Sequence, residues 1–286
     1  MVLFTKSFEK RLKNMKENKL LFFDIDGTLI DATLGINDIP ISTIYALNQL
    51  RLHYHKVFIA TGRCQCFIVD PVLSYPFDGF VTCNGAYVSY EGNCIMKHLI
   101  SQKAIDAAIN FALRYQTILY LESSRSIYIT NGDKEGHVDF ENKWEMKKSV
   151  QVRDFNKNDI EVYIGIMLVN NESQIEPLRV SLSEFFDIQQ HPNQLSFDLT
   201  LKNVSKETGI TKLVETLGYD MKDVFAFGDG NNDIEMISSV GYGIAMGNAV
   251  KPLKEVAFDI TSSINQDGIK NALIKYQLIE ENICTK

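Results

Sequence analysis

Apolar residues along this chain gather in short runs, and each run ends on a polar residue and a turn former. Leu20 to Phe23 leads into Asp24-Ile25-Asp26-Gly27-Thr28, Val57 to Ala60 into Thr61-Gly62-Arg63, and Phe80 to Cys83 into Asn84-Gly85. Later, Val224 to Phe227 leads into Gly228-Asp229-Gly230-Asn231-Asn232-Asp233, and Tyr242 to Met246 into Gly247-Asn248. Short apolar runs bounded in this way predict strands buried on both faces. Between them, apolar residues spaced by three and four predict helices. One runs from a Ser42 N-cap through Leu52, one from Ser205 through Leu217 with Gly218 as its stop, and one lies near Ile269 to Leu278. Alternating strands and helices imply right-handed crossovers and parallel pairing.

The middle of the chain has another texture. Tyr87 to Tyr90, a turn at Glu91-Gly92-Asn93 and Cys94 to Met96 predict a hairpin. Helices are expected from about Ser101 to Tyr115, within the charged stretch Lys134 to Lys148, where Trp144 is read as a packing residue, and from Ile175 to Phe186. Strands are expected at Ile118 to Leu121, Ile127 to Ile129, Val162 to Val169 and Gln194 to Leu199. Such a hairpin-rich α+β segment inside a strand-helix alternation predicts one domain inserted into another.

Composition narrows the class. The 286 residues suffice for two modest domains, and 45% hydrophobic with 23% charged residues is ordinary for a globular chain. A net charge of -7 argues against a general nucleic-acid binder. No apolar run approaches the ~20 residues of a membrane span. Residues 1–18 read as a basic extension ahead of the first strand. The five cysteines include no Cys-x-x-Cys pair, and Cys64-x-Cys66 has no His or Cys neighbour in sequence to complete a metal clip. Reduced thiols and a cytoplasmic location are therefore expected.

The carboxylates carry the candidate chemistry. If the first strand continued through Asp26, the side chains of Asp24 and Asp26 would leave it on one side. Paired carboxylates persist where a cation lies between them or one keeps a proton. One can then act as a nucleophile while the other exchanges protons with the leaving group. Asp-x-Asp-Gly also opens calcium loops, but Leu29 and Ile30 stand where further oxygen ligands would follow. In open α/β sheets ligands bind beyond the carboxyl ends of the strands, which would gather Asp24, Asp26 and Asp229. Oxygen-only ligands select a hard cation, and Mg²⁺ bridges to phosphate. Lys206 supplies the positive charge such a site needs. Asn232 and Asp233 are placed to orient metal waters or the lysine.

These segments, Asp24-Ile25-Asp26-Gly27-Thr28, Thr61-Gly62-Arg63, Lys206 and Gly228 to Asp233, resemble the four motifs of the haloacid dehalogenase-like phosphatases. Asn84-Gly85-Ala86, the inserted middle and Asp267-Gly268 resemble the Cof-type subfamily, which carries a large α+β cap. The resemblance spans nearly the whole chain after Lys19. It implies a Rossmann-like α/β core formed by residues 1–86 and 200–286, with a cap at residues 87–199. It implies a Mg²⁺-dependent phosphatase of small phosphorylated metabolites, with sugar phosphates among the expected substrates and with no nucleic-acid or membrane partner.

By that resemblance Asp24 attacks phosphorus and Asp26 serves as acid, then base. Thr61, Gly62, Asn84, Lys206 and Asn232 bind the phosphoryl group. Asp24, Asp229 and Asp26, the last through its carbonyl, hold Mg²⁺, with Thr28 helping to place Asp26 and Asp233 behind the metal ligands. The sequence departs from the family where Glu207-Thr208-Gly209 follows Lys206, since the family often has Gly directly after that Lys. A phosphotransferase or mutase on the same scaffold, and a non-catalytic binding module, remain the alternatives.

Overall fold

The structure is a computed structural model, and it describes residues 18–132, 137–143, 150–191 and 194–281. Trp144, Cys284 and nearly all of the 1–18 extension lie outside those residues. In chain order the strands and helices are β1 (Leu20–Phe23), α1 (Ile41–Leu52), β2 (Lys56–Ala60), α2 (Asp70–Leu73), β3 (Gly79–Thr82), β4 (Tyr87–Tyr90) and β5 (Asn93–Lys97). Then follow α3 (Gln102–Tyr115), β6 (Ile118–Glu122), β7 (Ile127–Thr130), α4 (His137–Lys143), β8 (Gln151–Val152), β9 (Ile164–Leu168), α5 (Ile175–Leu182), β10 (Phe186–Gln190) and β11 (Ser196–Leu201). The last part contains α6 (Lys206–Leu217), β12 (Val224–Gly228), α7 (Ile234–Ser239), β13 (Tyr242–Ala245), α8 (Lys251–Val256), β14 (Asp259–Ile260) and α9 (Gly268–Lys275). Among the described residues no helix is long and apolar enough to cross a membrane.

The chain folds as two compact units. The first takes the described residues of Met1–Ala60, Ser74–Gly79 and Leu213–Lys286. It is an α/β unit whose strands run parallel in the order β14-β13-β12-β1-β2. All four residues of β1 are fully buried, as a continuous apolar run requires at the centre of a parallel sheet. Phe22 stacks on Phe58 of β2 at 4.8 Å between ring centroids, and Phe23 on Phe227 of β12 at 5.0 Å. Each such ring contributes about 1.5–3 kcal/mol by leaving water. That packing fixes β1 against β12, whose C-terminal ends carry Asp24 and Asp229. Helix α1 begins at Ile41 after Pro40, and Ser42 lies inside it rather than capping it.

The second unit takes Thr61–Leu73 and the described residues of Phe80–Lys212. It holds the β4–β5 hairpin, which turns through Glu91 and Gly92, both in the left-handed region. It also holds a six-stranded sheet in the order β10-β11-β9-β6-β7-β8, antiparallel except for β7 and β8. Residues alternate across β6. Leu119 and Leu121 join the core formed with α3 and α5, while Ile118 and Tyr120 join a second core with Cys64, Phe67, Cys83 and Phe140. Helix α3 is capped by Ser101, whose hydroxyl accepts from Ala104 N at 3.3 Å. Helix α5 stops at Leu182, and the chain enters β10 at Phe186, where helical spacing predicted continued helix.

Candidate active site

In the first unit, β1 stops at Phe23, and the chain turns around Ile25 instead of extending through Asp26. The Ile25 carbonyl accepts from the N–H groups of Thr28, Leu29 and Ile30, and Gly27 N donates to Ile30 O at 2.7 Å. Gly27 adopts φ +81°, a conformation that glycine reaches without strain. Asn248, just past β13, donates its side-chain amide to the Gly27 carbonyl at 2.7 Å and so anchors the turn. The sequence offered only its position at the end of the fifth apolar run.

Asp24, Asp229 and Asp233 converge here, each offering an oxygen within 4.8 Å of the others. The pairing of β1 with β12 produces this meeting, and Asp24 N donates to Phe227 O at 3.0 Å as the ladder ends. Asp24 is buried, 6% exposed, and Asp233 is fully buried. The Asp233 carboxylate accepts from the N–H groups of Asp229 and Gly230, each at 2.9 Å, which holds the Gly228-Asp229-Gly230 turn in shape. The hydroxyl of Thr28 donates to Asp229 at 3.3 Å, whereas the resemblance implied service to Asp26. The Asp26 carboxylate is not part of the acidic cluster. Asn232 is half-buried, and its side-chain oxygen folds back over Gly230.

The donor set suits a hard divalent cation. Three carboxylates offer oxygen alone, with no sulfur or imidazole in the group. Three negative charges this close, two of them on buried residues, repel one another unless a cation or a proton compensates.

In the second unit, Thr61, Gly62 and Asn84 are tied together. Thr61 N donates to Val81 O at 2.9 Å, Asn84 N to Thr61 O at 3.1 Å, and Cys83 N to Arg63 O at 3.0 Å. The Thr61 hydroxyl accepts from Arg63 N at 3.2 Å. Cys83 and Asn84 both take left-handed backbone conformations, at φ 54° and 50°, which turns the chain sharply after β3. Thr61 and Asn84 are buried.

Lys206 opens α6 and is 1% exposed, unusual for a lysine. The helix start is fixed by reciprocal bonds. Ser205 N donates to Thr208 Oγ1 at 3.1 Å, and that hydroxyl donates to Ser205 O at 2.9 Å. The departure from the family pattern has a local explanation. Close approach is needed one turn later, where Gly209 lies against Val81 and Gly85, and Gly85 in turn lies against the Ser205 carbonyl.

Two polar side chains of the second unit, Tyr120 and His191, have partners of their own. The Tyr120 hydroxyl is 2.8 Å from His137 Nδ1, and His191 lies between Ser196 Oγ at 2.7 Å and Asp198 Oδ1 at 2.9 Å. Arg125 is exposed, and Glu122 is buried.

Known proteins resemble this chain along most of its length. Residues 21–273 match the family described as haloacid dehalogenase-like hydrolase. The Bacillus subtilis (strain 168) protein named "Putative phosphatase YkrA" is 34% identical over 269 residues, covering 92% of this chain and 100% of that one. A crystal structure of a hypothetical protein from Geobacillus kaustophilus HTA426 superposes with a TM-score of 0.83 at 32% identity, covering 92% of this chain and 100% of that one. The structure of BT4131, described as a sugar phosphatase of HAD subclass IIB, superposes with a TM-score of 0.80 at 28% identity over the same shares.

Proposed function

Because the chain belongs to the haloacid dehalogenase-like hydrolase family, and is with it a phosphoric monoester hydrolase, we propose that it hydrolyses small phosphorylated metabolites, sugar phosphates foremost, through an aspartyl-phosphate on Asp24 with Mg²⁺ as cofactor. The observation that carries this reading is the meeting of Asp24, Asp229 and Asp233 at the ends of two adjacent parallel strands. The likeness to a sugar phosphatase supports the substrate class.

In this reading the Asp24 carboxylate attacks phosphorus in line with the leaving oxygen. Asp26 protonates that oxygen and afterwards takes a proton from the water that opens the acyl phosphate. Thr61, the Gly62 N–H, Asn84, Asn232 and Lys206 hold the phosphoryl oxygens and offset their charge, which is most of what phosphoryl transfer asks of a protein. Asp24, Asp229 and the Asp26 carbonyl would hold Mg²⁺, which would supply the charge neutralisation an anionic nucleophile needs to approach an anionic phosphate. Thr28 and Asp233 set the orientation of Asp229. The α+β unit carrying β6 to β11 serves as the cap, and its side chains choose the substrate.

The test is phosphate release from a panel of phosphorylated metabolites, with Mg²⁺ and with chelator. Asp24→Asn should abolish release while leaving the circular dichroism spectrum unchanged. Turnover retained in that variant, or in chelator, overturns the assignment. Phosphate appearing only when an acceptor sugar is added would make the enzyme a phosphotransferase.

A further inference from the structure

Three groups outside the acidic cluster, Glu122, Cys64 and Cys66, meet inside the second unit without a role in the chemistry above. Glu122 ends β6 on the Tyr120 face of the sheet, two residues after Tyr120, which aims it at the core containing Cys64 and Cys83. Its side chain is 1% exposed. Hydrogen bonding from Cys64 steadies the charged carboxylate in part, yet Oε1 has no hydrogen-bond partner. The Cys64 sulfur lies 3.2 Å from that of Cys66, and Cys66 lies 3.5 Å from the Ser123 carbonyl. Cys64 is fully buried, whereas Cys66 is partly exposed. Arg63, Cys83 and Asp198 are the other charged or titratable groups that act on this cluster.

We propose that Cys64 and Cys66 form an oxidation site, in which a hydroperoxide converts the pair to a disulfide and Glu122 carries the proton released by Cys64. The two thiols divide the work by exposure. Cys66, reachable from solvent, attacks the peroxide as thiolate. A sulfur–oxygen bond forms, the oxygen–oxygen bond breaks, and the alcohol or water leaves with the proton given up by Cys66. Cys64 then attacks the sulfenic sulfur as its proton passes to Glu122. The sulfur–sulfur bond forms, the sulfur–oxygen bond breaks, and hydroxide departs as water with the proton from Glu122. In sum, two thiols are oxidised and one peroxide is reduced to an alcohol and water.

A buried thiol is a poor nucleophile, and burial holds Cys64 well above the ordinary thiol range. A base in contact is what it needs. Burial also lifts Glu122 to about 7, so the carboxylate can accept and return a proton near neutral pH. The new bond requires the sulfurs to close from 3.2 Å to the ~2.05 Å of a disulfide. It would tighten the turn in which Phe67 N donates to Cys64 O at 2.9 Å, directly after Thr61-Gly62-Arg63.

The site itself does not rest on the proposed hydrolysis, and mass spectrometry tests it alone. Trypsin and chymotrypsin together release Cys64–Phe67 as a tetrapeptide separate from Cys83. After brief hydrogen peroxide treatment of the full chain, that peptide should lack two hydrogens and resist alkylation until a dithiol is added. Cys66→Ser should prevent this. Glu122→Gln should slow disulfide formation about tenfold or more, and the rise of its rate through pH 7 should vanish. Two alkylatable thiols after peroxide, or a disulfide to Cys83, overturns the site. An unchanged rate and pH profile in a folded Glu122→Gln protein overturns the role of Glu122. If Thr61 binds phosphate as proposed, oxidation should also raise KM reversibly in the parent and leave Cys66→Ser untouched.

Discussion

The Gly27 backbone is pressed against the Asp229 carboxylate: a Cβ built on residue 27 would stand 2.1 Å from Asp229 Oδ2. The turn after the first strand and the carboxylate after the fourth apolar run are therefore one fitted unit. Gly27→Ala must push Asp229 out of the acidic cluster and also hold alanine at φ +81°. Displacing a catalytic group by about 1 Å can cost on the order of 10²-fold in rate. We expect kcat/KM for a generic phosphate ester to fall at least that far, with a higher Mg²⁺ concentration needed for half-maximal activity. Steady-state assays across a Mg²⁺ titration check both.

Asp233 acts on the same carboxylate from behind. Its Oδ2 accepts from the N–H groups of Asp229 and Gly230, and it is fully buried. Asp233→Ala leaves both donors without that acceptor. A hydrogen bond to a charged group contributes about 1.5–3 kcal/mol, so urea denaturation should show a loss of that order. Freed from its support, Asp229 should bind metal about tenfold more weakly or worse, read as a shift in the Mg²⁺ titration midpoint.

The two motifs just discussed were legible because their chemistry stands at the ends of strongly apolar runs, and the strands at 20–23 and 224–228 formed where those runs predicted. The contribution of Asp233 was legible only in part. Its place after a Gly-Asp-Gly turn marked it, but its bonds to the turn follow from backbone geometry that residue types do not state. Strand β10 was missed because Phe185 and Phe186 continue the apolar spacing of α5, while pairing with β11 decides otherwise. The two-residue strand β8 and the six-residue helix α8 are too short to leave a period. Alternation along β6 puts Glu122 on the Tyr120 face, yet its burial depends on Cys64 and Cys83, far away in sequence.

Three glycines of the second unit form a graded test of close approach. At Gly85, φ is +94° and a Cβ would lie 1.9 Å from the Ser205 carbonyl oxygen. Neither backbone can yield cheaply, so Gly85→Ala should cost about 3 kcal/mol or more. At Gly209 a Cβ would meet Val81 Cγ1 at 2.6 Å, but alanine gains about 1 kcal/mol of helix propensity there, so the net loss should be smaller. At Gly92 a Cβ meets nothing within 4 Å, and only the φ of +78° opposes it. The order of destabilisation, Gly85 above Gly209 above Gly92, can be read from denaturation midpoints. Reversal of the first two would show that Ser205 does not hold its place against residue 85.

Glu122 gives stability a pH dependence opposite to that of most carboxylates. Burial lifts its pKa from 4.5 to about 7, opposed in part by the Cys64 hydrogen bonds. The folded chain thus keeps a proton that the unfolded chain loses, and between pH 4.5 and 7 stability falls as pH rises. Above pH 7 the full penalty is in force, about 3 kcal/mol for a shift of this size. Below pH 4.5 both states are protonated and the penalty is gone. Glu122→Gln removes the charge while keeping the shape, so the variant should be more stable than the parent at pH 8 and nearly equal to it at pH 4.5. Subtracting the two stability curves isolates this residue from every other titrating group. A difference that stays flat across that window would mean that Glu122 titrates normally and that its carboxylate is hydrated.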